Sequence, residues 1–115
     1  MTDLKNTGLQ SQIQLTIQLD ESNIPDNIHW KASDAEDQLH EAKAMLLGLW
    51  DKKQGNGISI DLWTKEMTVP EMNIFFYQTL LSMSDTILRA TQDRSLSDMM
   101  RTFAGTFMQK VNAPV

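Results

Sequence analysis

The two histidines are the residues with the most usable chemistry, because a histidine can hold a metal ion or carry a proton. His40 is followed by Glu41, as at the start of the zinc-protease motif His-Glu-x-x-His, but Ala44 stands where the second histidine would be. His29 stands alone on the polar side of a predicted strand. Both roles need partners that converge on the ring, so we expect neither histidine to be a metal ligand or a general base.

Other segments that resemble functional motifs are better explained as turns. Residues 20–27 are rich in side-chain oxygens but lack the spacing of a calcium-binding loop. Gly55 and Gly57 are not followed by the Gly-Lys-Ser/Thr of a phosphate-binding loop. The absence of cysteine excludes disulfides, thiolate metal sites and cysteine nucleophiles. We therefore predict no catalytic, cofactor-binding or metal-binding residue, no cofactor and no enzyme activity.

The net charge of −5 is unevenly distributed. Between Asp20 and Glu41 stand seven acidic residues and a single base, Lys31. The favoured interpretation is a solvated acidic loop followed by the first turn of a helix, where acids complement the helix dipole. The alternative is an acidic patch for a basic partner. Basic residues are few and scattered and the apolar runs are short, so we expect neither nucleic-acid binding nor membrane insertion.

Hydrophobic alternation predicts the first elements. Residues 12–19 alternate polar and apolar side chains, which is typical of a half-buried strand. Ile28, Trp30 and Ala32 continue this pattern as a second strand after a loop of about eight residues. Apolar residues at helical spacing then predict a helix over residues 35–53, capped by Ser33 or Asp34. The positions that define this helix are Leu39, Ala42, Leu46, Leu49 and Trp50.

The second half of the chain begins with a third strand, in which Ile58, Ile60 and Leu62 face the core. Thr68 and Glu71 match a capping box, which predicts the start of a second helix. A third helix is predicted over residues 96–111, with a cap formed by Ser95 and Asp98. Its apolar stripe comprises Leu96, Met99, Met100, Phe103 and Phe107.

These elements predict an α+β fold with the order β-β-α-β-α-α. The sheet has three strands, either antiparallel in the order 2-1-3 or mixed, and the helices pack mainly on one of its faces. A chain of 115 residues fits one domain, spanning 1–115. Residues 1–10 and 112–115 are expected to be loose ends.

Two sets of apolar residues are candidate interfaces. Trp63 points away from the core face and shares the outer side with Asp61, so it is a candidate interface anchor. The alternative is that Trp63 lies beyond the strand end and folds back under the second helix. That helix also carries a second apolar stripe, which needs either the third helix or another subunit to cover it. The stripe consists of Ile74, Tyr77, Leu81 and Leu88. Met67 fits neither apolar stripe of this helix.

Three segments make the chain similar to a known family. They are QIQLTIQLDESNIPDNIHWKASD over 12–34, EAKAMLLGLWD over 41–51, and IDLWTKEMTVPEMNIFFYQTLLSMSDTILRAT over 60–91. The run from Asp61 to Met67 is the most distinctive part. On these residues the chain resembles the GldC family of bacterial gliding-motility proteins. The resemblance implies a small cytoplasmic accessory protein of gliding motility, and it brings no catalytic residue. The family is associated with the lipoprotein GldB, and direct contact with it is an open question.

Two functions fit these observations. The first is a non-catalytic interaction protein or adaptor that binds a protein of the gliding machinery and forms a homodimer if the helix stripe stays uncovered. The second is a small-ligand binder or minor enzyme with a pocket between sheet and helices, lined by His29, Asp61 and Trp63. The first residues show no basic-then-apolar signal, so we expect a cytoplasmic location.

Overall fold

The computed structural model describes residues 9–33 and 38–114, in which five strands precede two helices. The elements are β1 (Ile13–Leu19), β2 (Pro25–Ala32), β3 (His40–Ala42), β4 (Ala44–Asp51), β5 (Asn56–Trp63), α1 (Val69–Thr91) and α2 (Arg94–Asn112). The contacts divide the chain into one compact unit that ends at Met67 and another that begins at Thr68. The α+β class is confirmed. The prediction of a single domain with helices on one sheet face stays a prediction.

The first two strands form the antiparallel hairpin that alternation predicts. Ile13 lies opposite Ala32 and Ile17 lies opposite Ile28, so the apolar side chains of both strands share one face. The second strand begins at Pro25, earlier than the sequence pattern indicates, and the loop is correspondingly shorter. A register shift between Gln18 and Leu19 accommodates the turn into that loop.

The predicted helix over residues 35–53 is wrong, because the described part of this segment forms β3 and β4. Residues 44–51 are apolar at neighbouring positions as well as at helical spacing, and such a run is compatible with either structure. Gly48 in its middle disfavours a helix by about 1 kcal/mol relative to alanine. Pairing with β5 through a short turn then supplies hydrogen-bond partners to the β4 backbone groups that face β5. The proposed cap Asp34 lies outside the described residues.

The turn between β4 and β5 explains why the chain reverses here. The Asp51 carboxylate accepts a hydrogen bond from the Gln54 backbone N–H at 2.6 Å, and the Asp51 carbonyl accepts one from the Gly55 N–H at 2.9 Å. Gly55 adopts a φ of +68°, a conformation that glycine enters at little cost. The segment that contains Gly55 therefore forms the turn of a hairpin and does not follow a helix.

The strands form two sheets, which corrects the predicted single sheet of three strands. One sheet has the order β1-β2-β3, the other consists of β4 and β5, and every neighbouring pair is antiparallel. Both predicted strand orders, the antiparallel 2-1-3 sheet and the mixed sheet, depended on a crossover helix and are wrong. The backbone N–H of Thr64 donates to the Lys43 carbonyl at 2.8 Å, which continues the β4–β5 ladder to the residue that separates β3 from β4.

The capping box at the start of α1 is confirmed. The Thr68 hydroxyl accepts a hydrogen bond from the Glu71 backbone N–H at 3.2 Å, and the Glu71 carboxylate accepts one from the Thr68 N–H at 3.0 Å. Pro70 lies in the first turn, where its missing N–H has no partner to lose. These local interactions define the helix start from a few residues of sequence.

The second helix begins at a different cap from the predicted one. The Asp93 carboxylate, not Ser95, accepts the hydrogen bond from the Leu96 backbone N–H at 3.0 Å. Gln92 ends α1 in the left-handed conformation with a φ of 61°. The two helices are therefore joined by only two residues, Gln92 and Asp93, and they form a tight hairpin.

Small buried side chains bring the two helices together. Ser84 of α1 and Ser97 of α2 are buried, and the Ser97 hydroxyl donates to the Ser84 carbonyl at 2.9 Å. Ala104 lies two turns beyond Ser97 on the same face and is also fully buried. At the side of this contact the Arg101 guanidinium pairs with the Asp85 carboxylate at 2.5 Å.

A larger side chain at the helix contact should destabilise the hairpin. We predict that Ala104→Leu lowers the free energy of unfolding by about 1–3 kcal/mol, because the close approach leaves no room for the added carbons. Thr106→Leu adds a leucine at an exposed position of the same helix and should change stability by less than about 0.5 kcal/mol. Urea denaturation followed by circular dichroism measures both, and equal effects would contradict this packing.

Candidate interaction surface around Trp63

The end of β5 presents two of the candidate interface residues on one face. Asp61 lies opposite Leu46 and Trp63 lies opposite Ala44, while Ile60 and Leu62 point to the other side of the hairpin. Asp61 is exposed, and the Trp63 side chain is 57% exposed. The structure therefore places both side chains where a partner could reach them.

An open depression of about 320 Å³ adjoins Trp63. We call its lining, which consists of Ile24, Trp63, Thr64, Lys65 and Met67, the Trp63 surface. Its outer members Ile24 and Trp63 are exposed, whereas Thr64 is buried and donates its hydroxyl hydrogen bond to the Lys43 carbonyl at 3.1 Å. Sequence reasoning missed Ile24 and Lys65 as neighbours of the tryptophan. The poor fit of Met67 to the helix stripes was the one feature of the sequence that suggested a role for Met67 outside the helix packing.

The loop between β1 and β2 is held against this surface by Asp20. Its carboxylate accepts hydrogen bonds from the backbone N–H groups of Ser22, at 2.8 Å, and Ile24, at 3.1 Å. The same carboxylate lies 3.0 Å from the ammonium of Lys65. Hydrogen bonds to the carboxylate hold the pKa of Asp20 below its ordinary value. The largest contribution comes from the Ile24 N–H, followed by Lys65 and the Ser22 N–H. One carboxylate thus ties the loop that carries Ile24 to the segment that follows Trp63.

Acidic side chains line a smaller depression nearby, of about 170 Å³. Asp26 and Glu41 belong to the acid-rich segment of the sequence, and Glu66 joins them from the segment after β5. The Asn27 side chain donates to Glu41 at 3.4 Å, and its buried carbonyl oxygen has no hydrogen-bond partner among the described residues. Within the described residues, no group of three or more histidine and carboxylate side chains has the arrangement of a metal site.

The histidines have separate surroundings. The His29 ring nitrogen lies 3.9 Å from the Glu41 carboxylate, and the His40 ring stacks on Trp30 with 4.6 Å between centroids. His29 belongs to the three-stranded sheet and Asp61 to the two-stranded one. The sheet pairing therefore does not bring together the histidine and aspartate that a ligand pocket would have used.

The apolar stripe of α1 is the other candidate interface. The structure exposes Ile74 and leaves the other three members half-buried, namely Tyr77, Leu81 and Leu88. These three lie within one or two turns of Ser84 on the same helix face, and Ser84 contacts Ser97 of α2. The helix α2, which the sequence predicts over residues 96–111, thus contacts α1 on the face that carries these three residues.

Several side chains in the predicted apolar stripe of α2 are exposed. Leu96, Met99 and Phe103 are exposed, and Met83 of α1 is exposed as well. Met83 and Met100 line a shallow apolar depression of about 350 Å³ between the helices. Met83 and Met99 therefore lie at the surface, where their flexible thioethers can adapt to a partner.

One comparison with known proteins identifies a family. A family model described as "Gliding motility-associated protein GldC-like" matches residues 25–113. No curated protein and no solved structure matches the chain significantly. No helix in the described ranges is long and apolar enough to cross a membrane.

The titration of Asp20 tests the loop geometry. A lowered pKa means that the ionised carboxylate stabilises the folded loop above the ordinary aspartate pKa, and that this stabilisation is lost as the pH falls through the lowered value. We predict that the backbone amide shifts of Ser22 and Ile24 titrate with a midpoint below that of an ordinary aspartate. Asp20→Asn should abolish this titration in NMR spectra. A midpoint at or above the ordinary value would contradict the hydrogen bonds described.

Proposed function

The chain belongs to the GldC-like family of gliding motility-associated proteins, and we propose that it acts there as a non-catalytic accessory protein through protein–protein contacts. In this proposal the protein is a cytoplasmic adaptor for a component of the gliding machinery. Its lack of cysteine is compatible with a reducing compartment. Family membership supports a role in gliding motility, and the geometry of the Trp63 surface supports action through protein–protein contacts.

The observation that carries the proposal is the exposure of Trp63 beside an open depression that Ile24 and Met67 also line. A tryptophan that leaves 57% of its surface in water keeps a large apolar area available for burial. Tryptophan is among the residues that most often dominate binding energy when a partner covers them. Ile24 and Met67 line the same depression and add apolar side chains to it. A partner that inserts an apolar side chain here would bury all three.

The surroundings of Trp63 favour binding without large rearrangement. Asp20 holds the Ile24 loop through two backbone hydrogen bonds and an ion pair with Lys65. A surface that is already ordered loses less conformational freedom when a partner docks, and more of the contact energy appears as affinity. Asp61 lies on the same face as Trp63 and offers a hydrogen-bond acceptor to a partner.

The proposal is tested by capture from a gliding bacterium with the protein expressed at its native level. We predict that a partner recovered with the wild-type protein is lost with Trp63→Ala and weakened with Asp61→Ala. If the Trp63 surface holds the partner, gliding should fail in the Trp63→Ala strain although the protein remains as abundant as in the wild type.

Trp50 provides a matched control. It is an exposed tryptophan on the same face of the same hairpin, but it lies at the opposite end, next to the turn. Trp50→Ala should therefore retain the partner and the gliding phenotype. A partner set and a gliding rate that are unchanged in Trp63→Ala would refute the proposed surface, and equal losses in both variants would remove its specificity.

A further inference from the structure

The outer edge of β1 has backbone hydrogen-bonding groups that face away from β2. Among the described residues β1 pairs with β2 alone. The Gln12 carbonyl accepts a hydrogen bond from the Ser33 N–H at 3.0 Å, in the continuation of the β1–β2 register. In an antiparallel ladder the backbone groups of alternate residues point to the same side. The N–H and C=O groups of Ile13, Leu15, Ile17 and Leu19 therefore point away from β2, towards the free edge.

The sequence of this strand is complementary to itself. IQLTIQL reads apolar, polar, apolar, polar, apolar, polar, apolar, with Thr16 at its centre. An antiparallel copy centred on Thr16 would place Ile13 opposite Leu19, Gln14 opposite Gln18 and Leu15 opposite Ile17. Every apolar side chain then meets an apolar one, and each outward backbone group meets a partner. Thr16 would face its own copy on the two-fold axis.

The edge also lacks the features that prevent such pairing. Natural edge strands are protected by charges, proline or irregularities in the middle of the strand. Residues 13–18 include no charged residue, no proline and no glycine, and the register shift lies only at the end. Within the part of the chain that the structure describes, β5 pairs only with β4, and it carries Asp61 and Gly57. Of these two strands, β1 is the better suited to bind another strand.

We propose that two copies of this protein associate through antiparallel pairing of their β1 strands, with the two-fold axis at Thr16. The interface is isologous and joins the two three-stranded sheets into one of six strands. Ile13, which is 75% exposed, would then lie beside the partner copy's Leu19, which is itself exposed. The dimer leaves the Trp63 surface outside the paired edge, so this inference is independent of the proposed function.

Opposite charges at the axis test both the dimer and its register. Light scattering should give twice the chain mass of 13.1 kDa for the wild type. Thr16→Lys and Thr16→Glu each place like charges face to face and should raise the dissociation constant about five-fold. Mixing the two variants in equal amounts should restore the dimer, because lysine then faces glutamate. Ser59→Lys and Ser59→Glu carry the same charges on β5 and should leave the dimer intact.

Three results would overturn the proposal. They are a wild-type mass of 13.1 kDa at every concentration, a dimer unaffected by either Thr16 charge, and a mixture that fails to dimerise although each variant is weakened. Circular dichroism of each variant shows whether the fold is retained. If this edge binds an extended segment of another protein instead of a second copy, the purified chain should have the monomer mass at every concentration.

A cross-linking experiment gives the same answer without relying on affinity. The chain has no cysteine, so Thr16→Cys introduces a single thiol. Directly opposed residues at a non-hydrogen-bonded position lie about 4.5 Å apart between Cα atoms, within the range of a disulfide. Mild oxidation should therefore link Thr16→Cys into a covalent dimer. Absence of this product in a protein that retains its fold would reject the register.

Gln14→Cys is the matched control. Its two copies would lie about 13 Å apart along the strands, which is too far for a disulfide. The variant should therefore stay monomeric on a non-reducing gel when oxidised alone, and it should cross-link when mixed with Gln18→Cys. Cross-linking of Gln14→Cys alone, as efficient as that of Thr16→Cys, would contradict the axis at Thr16.

Discussion

The small amount of apolar surface that becomes fully buried constrains the whole molecule. Of the apolar side chains in the described residues, only Ile28 and Ala104 are buried almost completely, at 1% and 0% exposure. Burial of apolar area is the main favourable term in folding, and small chains have little of it to spare. The strands are held largely by their backbone ladders, and the helices meet through serine and alanine contacts. The apolar side chains that remain at the surface are then available to partners.

This constraint connects the two proposed surfaces. The Trp63 surface combines apolar and polar side chains, and the Asp20 carboxylate holds the loop that carries Ile24. Among the described residues the outer edge of β1 has no neighbouring strand, and exposed apolar side chains lie along it. An interaction protein needs such sites, whereas an enzyme needs convergent acid, base or metal groups. The family match associates the chain with gliding motility.

The sequence predicts local features better than it predicts strand pairing. The alternation of β1 and the Thr68–Glu71 capping box depend on neighbouring residues, and the structure contains both. The helix predicted over 35–53 failed because an apolar run such as residues 44–51 satisfies both periodicities, and only its pairing with β5 decides between them. The position of Ile24 in the Trp63 surface depends on the loop conformation that Asp20 stabilises, which alternation does not encode.

We propose that association buries apolar side chains that the described part of the single chain leaves exposed. Thermal unfolding measured over a hundred-fold range of protein concentration tests it most directly, because a fold stabilised by association unfolds at a higher temperature when the protein is more concentrated. We predict that the midpoint temperature of unfolding rises steadily with protein concentration for the purified chain. A midpoint that is the same at every concentration would contradict it.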